Sequence, residues 1–218
     1  MTADRRGAAA LRTIEKLSIR NTQTIRAVRR VLSKQLREDD PATVLRIADQ
    51  LNQAGHRWVG YEVINHHAQT LAGLTLKQVE TLGTGINSWG IVDAFGIYVA
   101  GPAWLRQQIS DAAVQRWARR NDLWWRRAAL VATTVLNTKS HGGQGDTART
   151  LAIATLLVAD SEDMIVKALS WGLRCLAPWD PRAVELFLAQ HDENLAARVK
   201  REVRNKLETG LKNPPMRT

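Results

Sequence analysis

Trp89 and Asp93 stand one helical turn apart in Asn87-Ser-Trp-Gly-Ile-Val-Asp93. Asp93 is the only acidic residue between Glu80 and Asp111, and its neighbours Ile91, Val92, Ala94, Phe95, Ile97, Tyr98 and Val99 suit a buried helix. A carboxylate in such surroundings is costly unless something compensates it, which marks it as a candidate for chemistry. At i, i+4 spacing the indole and the carboxylate project from one face. Together they form a receptor for a cation, attracted by the ring's face and by the negative charge. Two further segments carry the same residue types. Trp124 and Arg127 lie three apart in Asn121-Asp-Leu-Trp-Trp-Arg-Arg127-Ala-Ala, and Lys167-Ala-Leu-Ser-Trp171-Gly-Leu-Arg174 sets an indole one turn after a cation.

The elements that must position these residues all read as helices, with no sustained strand alternation. Residues 22–37 carry Ile25, Val28, Leu32 and Leu36 on one face and Arg26, Arg30, Lys34 and Arg37 on another. Asp40-Pro41 and Asp180-Pro181 read as an N-cap followed by proline at the first helical position, and Thr75-Leu-Lys-Gln78 as a capping box. The pattern predicts about a dozen helices joined by short links. Among them are helices over 57–71, 88–99, 103–119 and 193–211, with Gly101-Pro102 ending one and starting another. The expected fold is all-α: a HEAT-like repeat α-solenoid of about six antiparallel helix pairs with a basic concave face, a compact helical bundle being the alternative. Residues 1–212 form the expected single domain and 213–218 a flexible C-terminal tail, while Ser140–Gly145 reads as a flexible loop. In a solenoid, helices at equivalent places in successive repeats line one surface, which would let Trp89, Asp93, Arg127 and Trp171 converge.

Of the 218 residues, 31 are Lys or Arg and 21 Asp or Glu, a formal charge of +10 that favours a polyanionic partner, most simply nucleic acid. Cys175 is the sole cysteine, which excludes an internal disulfide and a thiolate metal cluster. No metal and no cofactor is expected. No apolar run approaches a membrane span, so the expectation is a monomer in a reducing cytoplasm with no membrane partner. Tryptophan is the compositional oddity, with 8 Trp against 2 Phe and 2 Tyr. Interior packing is the expectation for Trp58, Trp104 and Trp117, while Trp125 and Trp179 are left undecided.

These motifs resemble those of the AlkD-like DNA alkylation repair glycosylases, HEAT-like repeat proteins that release alkylated purines from DNA. Trp89-Gly-Ile-Val-Asp93 looks like the family's Trp-x-x-Val-Asp motif, and Trp124-Trp-Arg-Arg127-Ala-Ala is similar to its Trp-x-x-Arg-Ala-Ala helix. Lys167-Ala-Leu-Ser-Trp171-Gly-Leu-Arg174 matches its Lys-Ala-x-x-Trp-x-Leu-Arg helix. The likeness spans about residues 20–205. It implies that Asp93 is the catalytic carboxylate, that Trp89 and Trp171 line the lesion site, and that Arg127 holds a DNA phosphate. The pattern departs at Ser88, where a second aromatic is common, and at Gly90, where an acidic residue is.

The chemistry is consistent with those residue types. Alkylation at N3 of adenine or N7 of guanine makes the purine a cationic leaving group, and breaking its glycosidic bond moves positive charge onto the deoxyribose. A carboxylate aimed at that sugar stabilises the transition state more than the ground state. The resemblance further implies that the base stays stacked instead of being flipped. The arginine-rich face with Arg26, Arg30 and Lys34 is the expected phosphate track on duplex DNA, with Lys200, Arg201 and Arg204 as additional candidates and Lys167 either structural or a phosphate contact. The competing readings are a non-catalytic HEAT-like module that binds distorted DNA, and a protein-binding scaffold. The enzymatic reading fails if Asp93 is at once turned into the interior, neutralised by an arginine or lysine, and far from the groove.

Overall fold

Local capping chemistry sets most of the helix starts. Asp40 accepts a hydrogen bond from the Thr43 amide at 3.0 Å and Asp180 one from the Ala183 amide at 3.0 Å, each followed by proline in the first turn. The Thr75–Gln78 capping box closes in both directions, at 2.9 and 3.3 Å, and a second box joins Asn21 and Thr24. The computed structural model describes residues 3–215, and it contains helices and no strand among them. The helices are α1 (Ala3–Glu15), α2 (Thr22–Gln35), α3 (Pro41–Gln53), α4 (Arg57–Asn65), α5 (Ala68–Ala72), α6 (Leu76–Gly83) and α7 (Trp89–Phe95). They continue with α8 (Gly101–Leu105), α9 (Asp111–Ala118), α10 (Leu123–Leu136), α11 (Thr147–Leu156), α12 (Asp163–Leu176), α13 (Pro181–Gln190) and α14 (Ala197–Thr209). Successive helices pack on each other, α1 on α2, α3 on α4 and α11 on α12, as the units of an α-solenoid do.

The chain divides into two compact units, Met1–Leu82 and Gly83–Thr218. In the first, Ile14, Ile25, Leu32, Leu36, Val44, Ile47, Leu51, Val59 and Val63 form a continuous core, with Trp58 partly buried against it. In the second, α10 is the central element. It is buried from Ala128 to Leu136 and packs on α7, α8, α9, α11 and α12, while α12 in turn packs on α14.

Several expected boundaries change. The helix expected over 57–71 breaks after Asn65 because His67 caps α5, its Nδ1 accepting from the Thr70 amide at 3.2 Å. Gly101-Pro102 does not end a helix. Trp89 to Leu105 is helical throughout, with a π-helical turn at Gly96–Ala100 between α7 and α8. Proline clashes with the carbonyl four residues back and offers no amide, and one wider turn just ahead of it relieves both problems. The Gly101 amide accordingly reaches the Gly96 carbonyl. The break expected near 101 falls instead at 106–110, where Gln107 takes a positive φ of 59° and Ser110 caps α9. The last helix begins at Ala197 and not at 193.

Ser140–Gly145 is pinned, not free-running. The Gly143 and Gly145 amides donate to Thr138 and Leu136 at 3.1 Å each, closing the loop onto the end of α10. Asn213–Pro215 has no regular structure, and residues 216–218 of the expected tail lie outside the described residues. No helix among the described residues is long and apolar enough to cross a membrane.

Candidate active site

Trp89 opens α7 and is 62% exposed, while Val92, Ala94 and Phe95 turn the opposite side of the helix into the core. Asp122 caps α10 by accepting from the Trp124 and Trp125 amides at 2.8 and 3.2 Å, which sets Arg127 on the second turn. Asp93 and Arg127 meet across the α7–α10 contact. Arg127 Nε donates to Asp93 Oδ1 and Nη2 to Oδ2, both at 2.9 Å, a bidentate pair of the strong, planar kind. Arg127 Nη1 also donates to the backbone carbonyl of Met164 in α12. The Asp93 side chain is 17% exposed and that of Arg127 6%.

That close pairing depends on two glycines. A Cβ on Gly96 would lie 2.6 Å from Val131 Cγ1, and one on Gly101 2.5 Å from Val135 Cγ2, so only glycine lets this helix approach α10 so nearly. Beneath it, Trp117 and Trp125 pack in a tilted arrangement at 5.2 Å between centroids and Phe95 meets Trp125 edge-on at 5.8 Å. Gly96→Ala is therefore expected to destabilise the protein by about 1–3 kcal/mol through overpacking and to loosen the Asp93–Arg127 pair. A thermal melt unchanged from the parent would show that the two helices have room to spare.

Burial pushes the Asp93 carboxyl above its ordinary range, and the Arg127 guanidinium pulls it back toward the ionised form. Burial also raises the Cys175 thiol above its ordinary range, which disfavours the thiolate form. Among the described residues, no three His, Cys, Asp or Glu side chains gather as metal ligands would.

Arg127 and Trp171 both line an open cavity of about 520 Å³, together with Lys167, Arg174 and Arg201. Two of the segments singled out from the sequence thus meet at one place, and the third, carrying Trp89 and Asp93, is joined to it through Arg127. Lys167 pairs with Asp163 at 2.6 Å, a surface contact four residues apart. Lys200 and Arg204 both bind Asp192, at 3.2 and 3.1 Å.

Arg127, expected to hold a DNA phosphate, has other partners in the resting protein. Most of its guanidinium is occupied by Asp93 and Met164, because a buried cation requires a full set of acceptors. Arg26, in the first unit, is likewise paired. Its Nε donates to Glu62 Oε1 at 2.7 Å and its guanidinium lies over Trp58, while Arg29 takes the other Glu62 oxygen at 3.0 Å. Arg30 and Lys34 on the same helix are exposed. Trp104 and Trp117 are fully buried as expected, and Trp125 joins them. Trp179 stays half out, its Nε1 donating to the Asn137 carbonyl at 2.8 Å. Sequence reasoning missed Met164, which acts through its backbone, and Glu62, whose burial between two arginines carries no local signature.

In comparison with known proteins, a family model described as DNA alkylation repair enzyme matches residues 12–207. No curated protein and no solved structure matches the chain.

Proposed function

The chain belongs to the DNA alkylation repair enzyme family, and from that premise we propose that it is a monofunctional alkylpurine DNA glycosylase. Its substrates would be cationic purines of the 3-methyladenine and 7-methylguanine type in duplex DNA. The observation that carries the proposal is the exposed Trp89 plane one turn from a carboxylate paired with Arg127, which itself lines a cationic cavity.

Asp93 stabilises the oxocarbenium-like sugar as the C1′–N bond breaks, and the departing purine takes the bonding pair and becomes neutral. Water then adds at C1′ and gives up a proton, leaving an abasic site. The indoles offer cation–π and CH–π contacts of about 0.5–2 kcal/mol each, enough for a modest preference for charged bases. The charged base needs no general acid, which agrees with a site whose candidate catalytic carboxyl, Asp93, is paired with a permanent cation. In the resting protein, Asp93 and Arg127 satisfy each other. A DNA phosphate competing for Arg127 would return negative charge to Asp93 at the moment the sugar needs it. Trp89 and Trp171 contact the nucleotide from outside, so the C1′–N bond breaks while the base remains in the stack.

The second reading, a non-catalytic module that binds damaged DNA, is favoured by one observation, the neutralisation of Asp93 by Arg127. One assay separates the two: duplex DNA carrying 7-methylguanine is incubated with the protein and the free base is measured. Release above the spontaneous rate supports the glycosylase. Tight binding of the duplex with no release from 7-methylguanine or 3-methyladenine substrates leaves the binding module.

A further inference from the structure

The cavity beside Arg127 has a wall that the family-matched residues do not supply. Helix α14 ends at Gly210, whose φ of 74° reverses the chain, and its amide caps Lys206 O at 3.0 Å. The following residues fold back along the helix, held by Asn205 Nδ2 donating to the Lys212 carbonyl at 3.0 Å. Lys212 and Asn213 thereby border the same cavity as Arg127 and Trp171, although the family match stops at residue 207.

The charges around this cavity do not cancel. Glu202 is buried, and its two oxygens are shared among Ser170 at 2.7 Å, Arg174 at 3.9 Å and Lys212 at 3.4 Å. Asp163 serves both Lys167 and Arg198, and Asp93 serves Arg127. Arg201 is exposed, with no carboxylate in ion-pair reach among the described residues. Six cations therefore stand against three carboxylates. The Lys212 side chain is 45% exposed and its ammonium lies 3.4 Å from Glu202, a loose pair that leaves it accessible to solvent. Such an unbalanced, open cluster attracts a polyanion.

We propose that Lys212, on the returning C-terminal segment, is a DNA-binding residue that grips a backbone phosphodiester together with Arg201 at the far wall of the cavity. The proposal rests on the reading of duplex DNA as substrate, but not on catalysis.

The test is fluorescence anisotropy of an undamaged duplex titrated with the full-length protein across a salt series. Each phosphate contact to B-DNA contributes about 0.9 to the slope of log affinity against log salt. Lys212→Ala should lower that slope by about 0.9, equivalent to roughly eightfold weaker binding at 0.1 M than at 1 M relative to the parent. Arg201→Ala combined with it should lower the slope by about 1.8, and Lys212→Arg should restore it. In base-release assays Lys212→Ala should raise KM and leave kcat unchanged. An unaltered slope in a parent that binds DNA overturns the proposal, as does a loss of affinity equal at all salts, which marks Lys212 as a structural anchor. If the slope responds but no base is released, the phosphate grip stands and the glycosylase reading falls. If base is released and the slope does not respond, only the grip falls. A parent that does not bind duplex at all overturns both.

Discussion

Asp93→Asn is expected to reduce release of 7-methylguanine from duplex DNA by about a hundred- to a thousandfold, the usual consequence of removing one preorganised charge aimed at a transition state. The substitution keeps the side chain's shape and removes its negative charge. Binding should survive or tighten, since an anion has been taken from a surface that meets phosphates. The loss should therefore appear in kcat, because the missing interaction was made only as the glycosidic bond stretched. The parent should lose activity as pH falls through the Asp93 titration, which burial places above the ordinary aspartate range. That acid limb should vanish in Asp93→Asn. Base release equal to the parent would transfer the carboxylate's role to another residue and end the oxocarbenium-stabilising role of Asp93.

Arg127→Ala is expected to have the largest effect on stability. It leaves Asp93 ionised in a mostly buried position and frees the Met164 carbonyl, and removing one partner of a buried pair costs about 3–5 kcal/mol. For a chain of this length that is a fall in Tm of roughly 10 °C. The pH dependence has a definite sign. Without the guanidinium, the folded-state pKa of Asp93 rises further above its unfolded value. Its contribution to stability is then fully present below the unfolded pKa and is lost as pH rises through the folded one. The Tm gap between parent and variant should accordingly narrow toward acid, and any residual activity should show its acid limb at higher pH. Arg127→Lys cannot reproduce the two parallel hydrogen bonds and should rescue little. Identical melts for parent and Arg127→Ala from pH 4 to pH 8 would mean that the pair contributes nothing to the fold.

Helix content and most helix starts were legible in the sequence because they depend on short-range chemistry. Asp40, Asp180 and the Thr75–Gln78 box cap neighbouring amides, and no distant residue is needed to read them. Interruptions were harder. Pro102 advertises a break, yet the helix absorbs it in a π turn because Gly96 and Gly101 let the segment press against α10, a contact about 35 residues away in sequence. His67 reads as an ordinary helical residue until its ring nitrogen takes the Thr70 amide.

For the candidate site, residue types and spacings singled out Trp89, Asp93, Arg127 and Trp171, because an isolated carboxylate on an apolar helix and tryptophans at helical spacing from charges are visible in one dimension. What spacing cannot convey is which charge answers which. Sequence separation places no constraint on a guanidinium seeking an anion, and only the packing of α7 on α10 revealed that Arg127 takes Asp93, just as only the folded first unit revealed that Glu62 takes Arg26 and Arg29. Burial decided those pairings. Once a charge leaves water it must be met by an opposite charge, and the tertiary arrangement alone determines which one is within reach.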